Sequence, residues 1–265
     1  MMSKNAQIAK QLHLAQRNQT PIEQFSSVDP FSLSEAYEIQ HELMKQRIAE
    51  GEKIIGVKMG FTSEAKMAQM GVSEMIIGQL TDAMHCSNGG SINRSDFIHP
   101  RVEPEIAFRL SQDINEPIQL HDVLQYVDEI AAALEIIDSR YENFKFSLED
   151  VVADNCSSAA FVIGAFQKPL DVLTDLNIEL IINGKVAEKG SSNDILGNPW
   201  KSLVAASELA HKYGLRLKAG DIVLAGAATS AHFINENDKV SAEVEKLKDL
   251  SFQIEPKSHQ KLEKP

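Results

Sequence analysis

Residues 101–108 read "RVEPEIAF", and residues 135–146 read "EIIDSRYENFKF". The first stretch places Glu103 and Glu105 two positions apart among apolar neighbours. In a strand, positions i and i+2 face the same way, so both carboxylates project from one face with Cα atoms roughly 6.6 Å apart. Glu135 opens the second stretch, which is also strand-like. An isolated ionised carboxylate is costly to bury. Several gathered in apolar surroundings call for a compensating cation, and an all-oxygen ligand set suits Mg²⁺ or Mn²⁺ rather than zinc or copper. The competing reading makes Glu-Pro-Glu the solvated face of an edge strand. Pro104 supports it, because proline donates nothing to a ladder and is confined to edges or bulges in sheets.

Outward from these stretches, the spacing predicts two leading helices. Residues 4–17 carry Ile8, Leu12 and Ala15 on one face. Residues 33–50 follow Ser32 and Glu35, which fit a capping box, and end at Gly51. From residue 53 the pattern changes to short strands punctuated by glycine. Strands are expected at 53–59, 99–110, 134–137, 217–228, 240–247 and 250–255, with a hairpin over 177–190 turning at Asn183-Gly184. Helices are expected at 63–71, 120–134 and 198–214. Strands and helices do not alternate regularly, which indicates an α+β fold with a mixed, mostly β core and N-terminal helices. The corresponding division is a helical region at 1–52, a catalytic β-rich core at 53–256 and a polar tail at 257–265.

The chain has 265 residues, 43% hydrophobic and 24% charged, with a formal net charge of −12. That composition suits a globular protein with a full core, and the acidic balance excludes non-specific nucleic-acid binding. Cys86 and Cys156 form no C-x-x-C pair. The first residues lack the apolar run of a secretory signal, and no run is long enough to span a bilayer. A cytoplasmic location without membrane or nucleic-acid partners is expected. No Gly-x-Gly-x-x-Gly, Walker A, Gly-x-Ser-x-Gly or His-Glu-x-x-His motif occurs.

Four blocks, "GVKMGFTSEAKMAQMGV" (56–72), "RVEPEIAF", "EIIDSRYENFKF" and "VVADNCSSAAFVIG" (151–164), together resemble the hydratase/decarboxylase branch of the fumarylacetoacetate hydrolase superfamily. The resemblance spans residue 53 to the late strands. "KMAQMG" and "DSRYENFKF" are most similar to the decarboxylase side of the branch. The resemblance implies a fold like that superfamily's C-terminal domain and metal ligands at Glu103, Glu105 and Glu135. It implies an active-site lysine at Lys58, an aspartate at Asp82, and a serine at Ser157 or Ser158. The branch usually has alanine at the position of Pro104.

The activity it implies is metal-dependent decarboxylation of 2-oxohex-3-enedioate to 2-hydroxypenta-2,4-dienoate in aromatic meta-cleavage catabolism. The alternatives are the sister hydratase activity and a non-catalytic partner subunit. A 2-oxo acid offers its C1 carboxylate and C2 carbonyl oxygens as a chelate, and a Lewis acid there stabilises the enolate left when CO₂ departs. The expected partners are a small 2-oxo dicarboxylate, further copies of the chain in a homo-oligomer, and the pathway hydratase. Arg140 and Lys145 are candidates for the substrate's far carboxylate, although acidic neighbours favour a salt-bridged loop. Thr229, in the small-residue stretch 224–233, is a candidate substrate contact. Cys156 reads as a core thiol, and Trp200 as packing its helix.

Overall fold

The protein was analysed as a computed structural model, which describes residues 2–63 and 74–256. The helix expected at 63–71 and the tail at 257–265 lie essentially outside them.

Among the described residues, the main sheet has eight strands. Its path runs β2 (Ile76–Thr81), β1 (Ile54–Gly60), β10 (Ile222–Leu224), β5 (Arg101–Leu110), β6 (Val127–Ile137), β7 (Ser158–Ile163) and β3 (His85–Cys86). β11 (His232–Phe233) pairs β5 beyond the end of β10. A five-stranded sheet has the order β4 (Ser91–Asn93), β13 (Leu250–Glu255), β12 (Lys239–Val244), β8 (Asn177–Ile182) and β9 (Lys185–Ser191). The β8–β9 turn uses Asn183 and Gly184 at positive φ, as a type I′ turn requires.

The main sheet curls until β2 approaches β7. Alternate residues therefore serve two different cores. Ile106, Phe108, Ile130, Ala132 and Leu134 face outward into the large core shared with the second sheet and the helices. Ala107, Ala131, Ala133, Leu80, Phe161 and Leu224 face inward and fill one end of the concave side. Helix α1 (Lys4–Arg17) packs on α2 (Leu33–Ala49), and Gln40 of α2 donates to Ile77 O of β2 at 3.1 Å and to Val152 O at 3.0 Å. The Ser32–Glu35 capping box forms. Helix α3 (Leu148–Ala153) packs on α2. Helix α4 (Pro199–Tyr213), closed by left-handed Gly214, stacks Trp200 on Phe108 with centroids 4.7 Å apart.

Two expectations need correction. Residues 127–134 are strand, not helix; of the stretch 120–134, a 3₁₀ turn at Leu120–Asp122 leads into a short α-helix, Val123–Tyr126. Ile130 to Leu134 are all buried, so both faces are apolar and the period of two is hidden behind an alanine run with high helix propensity. The second correction concerns Pro104. β5 lies inside the sheet, not at its edge. Pro104 O accepts from Ala228 N at 3.0 Å, so its donor-less nitrogen faces the 225–231 loop, where β10 has already ended. The neighbouring Glu103 and Glu105 face β6, and that ladder stays in register across the proline.

Candidate active site

Strand register assembles the cluster. Glu103 pairs directly with Glu135 across β5 and β6, and Glu105 follows two residues on. All three point to the concave side, at the end the apolar plug leaves unfilled. Lys58 joins them from β1: it pairs with Leu224, and Leu224 with Ala107, which carries the same facing across β10 to β5. One oxygen of each glutamate lies within 4.8 Å of the others. Glu105 and Glu135 are fully buried, and Lys58 is 4% exposed.

Lys58 Nζ lies 3.0 Å from Glu135 Oε2 and donates to Cys156 O at 3.3 Å. Burial works against its charge, but Glu135, Glu105 and Glu103 outweigh burial and hold the ammonium above the usual lysine range. Burial lifts the Glu135 carboxyl to about 7, with Lys58 opposing. Burial, then the charge of Glu135, push Glu105 well above its ordinary value. Gly226 N donates to Glu105 Oε2 at 2.7 Å. Among the described residues, Glu105 Oε1 and Glu135 Oε1 have no hydrogen-bond donor, while Lys58 meets Glu135 Oε2. Unpaired buried acceptors are costly, and one ammonium does not balance three carboxylates. These orphaned oxygens and the all-oxygen donor set fit a hard divalent cation.

Two glycines make room for the cluster. Gly226 has φ +103°, and a Cβ there would fall 2.1 Å from Thr62 Oγ1. A Cβ at Gly78 would fall 2.8 Å from Asn155 O and 3.2 Å from Lys58 Cδ. Asn155, Cys156 and Ser157 all have positive φ, a strained run of the kind that persists where surroundings fix it. The Asn155 side chain fixes it by accepting from Gln79 N at 2.7 Å and donating to Gln79 O at 2.9 Å. The loop thereby turns Cys156 O to Lys58, so the backbone of this residue serves the site while its thiol packs in the core.

A cavity of about 340 Å³ opens beside the cluster, lined in part by Lys58, Glu103, Ser157, Arg101, Phe144 and Ile76. Ser157 Oγ is buried and has no hydrogen-bond partner among the described residues. Ser158 turns away, its Oγ 3.8 Å from Met84 Sδ; of the two serines, the geometry favours Ser157.

Four other candidates are not brought into this cavity. Asp82 is exposed beyond β2, where Oδ1 accepts from Lys53 N at 2.9 Å. Lys58 pairs with Gly78, so Asp82 stands four residues further along, about 13 Å by strand rise. Arg140 is buried as a structural ion pair: Nε binds Asp154 Oδ1, and Nη1 donates to Asp138 O at 2.8 Å and Ser158 O at 3.1 Å. Thr229 is buried and donates to Ser230 O at 3.0 Å, while its neighbours Ala227, Ser230 and Ala231 line the cavity. Lys145 is exposed. Arg101 and Asn155 were missed. Arg101 precedes Glu103 by two residues on the same strand, so the i, i+2 rule that links the glutamates also reaches it.

A family model, fumarylacetoacetate (FAA) hydrolase C-terminal, matches residues 53–255. The chain belongs to the fumarylacetoacetate hydrolase family. It is 45% identical over 249 residues to a 4-oxalocrotonate decarboxylase of Pseudomonas sp, covering 94% of this chain and 97% of that one. It is 31% identical to the 2-hydroxyhexa-2,4-dienoate hydratase of Comamonas testosteroni over 84% and 86% of the two chains. The solved 4-oxalocrotonate decarboxylase from Pseudomonas putida G7, complexed with magnesium and adipate, superposes with a TM-score of 0.91 at 33% identity, covering 96% of this chain and 99% of that one. The expected α+β family fold is thus the fold found. Among the described residues, no helix is long and apolar enough to cross a membrane.

Proposed function

We propose that this protein is a Mg²⁺- or Mn²⁺-dependent decarboxylase that converts 2-oxohex-3-enedioate to 2-hydroxypenta-2,4-dienoate, within aromatic meta-cleavage catabolism. The observation that carries the reading is the gathering of Glu103, Glu105 and Glu135 beside Lys58 at a cavity, in a chain 45% identical to a 4-oxalocrotonate decarboxylase.

Glu103, Glu105 and Glu135 would hold the cation. When bound, it supplies Lewis-acid attraction for the C1 carboxylate and C2 carbonyl oxygens. Lys58, kept protonated by its glutamates, adds fixed positive charge beside the oxygen that becomes negative. Breaking the C5–C6 bond releases CO₂. The electron pair forms the C4–C5 double bond, the C3–C4 pair shifts to C2–C3, and the C2 oxygen takes the charge. Protonation of that oxygen gives the dienol. The Ser157 hydroxyl, on the fixed turn at 155–157 and lining the cavity, would lie beside this chemistry, and the curled sheet's apolar plug would keep water from the far side of the cluster.

CO₂ release by purified protein with and without EDTA tests the proposal. Loss on chelation and recovery with Mg²⁺ is expected; metal-independent turnover, or none, rejects it. The second reading is hydration of 2-hydroxypenta-2,4-dienoate, favoured by the hydratase relatives. Formation of 4-hydroxy-2-oxopentanoate from the dienol distinguishes it. A non-catalytic partner subunit would be indifferent to Glu→Gln changes in the cluster.

A cytoplasmic location is part of the proposal, supported by two free cysteines. So is a homo-oligomer that also contacts the pathway hydratase. The exposed Leu14, Val28 and Ile48 of the N-terminal region support such a surface.

A further inference from the structure

We infer that Arg101 recognises the substrate's far carboxylate and so selects diacids over monoacids, an inference that rests on the cavity binding a 2-oxo acid as proposed above. Arg101, Glu103 and Glu105 share one face of β5, so the guanidinium is offered to the same cavity as the glutamates, one strand repeat of about 6.6 Å away. A six-carbon diacid with its 2-oxo end at the glutamates spans a comparable length. Among the described residues, Arg101 and Lys58 are the two cationic side chains in the lining, and Lys58 is already engaged by Glu135.

Arg101 is held differently. Its guanidinium carbon lies 4.2 Å from the ring centroids of both Phe144 and Phe233. Aromatic faces position a guanidinium without consuming its hydrogen-bond donors. Arg101 feels the charge of Glu103, two residues along the strand, yet its buried Nε has no hydrogen-bond partner among the described residues. Contrast Arg140, whose donors are spent on Asp154, Asp138 O and Ser158 O. A clamped guanidinium with donors to spare, facing an otherwise largely apolar wall, is complementary to a carboxylate.

The contact has a kinetic signature. The far carboxylate loses its negative charge as it becomes CO₂, so Arg101 holds the ground state more firmly than the transition state. Removing it raises KM for the diacid without lowering kcat.

The test uses the Mg²⁺-loaded protein with 2-oxoadipate and 2-oxohexanoate as competitive inhibitors, a pair that differs in the far carboxylate. Wild type is expected to prefer the diacid by about tenfold or more, the range of one charge-assisted contact. Arg101→Met should abolish that preference while leaving 2-oxohexanoate binding within about twofold, and Arg101→Lys should restore part of it. Phe233→Leu, at a half-exposed position, removes one side of the clamp and should weaken the preference even if Arg101→Met folds poorly. Undiminished diacid preference in both Arg101→Met and Phe233→Leu overturns the inference. Failure of both inhibitors to bind wild type overturns the 2-oxo-acid reading beneath it.

Discussion

Two buried clusters of charge differ in how they are balanced. Arg140 faces Asp154, and its remaining donors meet the carbonyls of Asp138, Asp154 and Ser158. That cluster ties the strand end at 138–140 to the turn after α3 and needs nothing more. Lys58 faces three glutamates and meets Glu135 Oε2, and among the described residues Glu105 Oε1 and Glu135 Oε1 are left without donors. A fold that satisfies one buried carboxylate so fully, yet leaves others undersatisfied, is holding the second set for a ligand. Charge in a protein interior reads as structural when its partners are internal and as functional when they are missing.

The widest gap between the clusters should appear on breaking Asp154. Asp154→Asn strands Arg140 as a buried charge and should cost about 3–5 kcal/mol in chemical denaturation; a loss under about 1 kcal/mol would erase the contrast. Glu135→Gln should do the reverse. It should lower CO₂ release at least about a hundredfold, near 2.7 kcal/mol of transition-state stabilisation, while metal-free Tm holds or rises because one of three carboxylates crowded around a single ammonium is gone. Lys58→Met should lower kcat about tenfold to a hundredfold with a smaller change in KM. An unchanged rate removes Lys58 from the mechanism. Pro104→Ala should be smallest, under about 1 kcal/mol in stability and with turnover retained, since the restored N–H faces the 225–231 loop rather than β6.

The glutamate cluster was legible because period two is local. Glu103 and Glu105 needed only a strand, and the family blocks singled out Glu135. Their burial was not legible, since it depends on the sheet curling around its own apolar plug. The strand at 127–134 was hidden because apolarity on both faces erases alternation. Arg140 and Asp82 show the reach of sequence position without distance. Arg140 lies three residues from Ile137, which lines the cavity, yet its side chain turns to Asp154. Arg101 carried the right signal, two residues before Glu103, but strand spacing does not show which of two arginines is already paired.

The most direct test is Mn²⁺ binding followed by electron paramagnetic resonance on metal-stripped protein, comparing wild type with Glu105→Gln and Asp154→Asn. One ion per chain is predicted for wild type, with affinity at least about tenfold to a hundredfold weaker in Glu105→Gln and retained in whatever fraction of Asp154→Asn remains folded. No bound ion in wild type, or equal affinity in Glu105→Gln, would contradict the account.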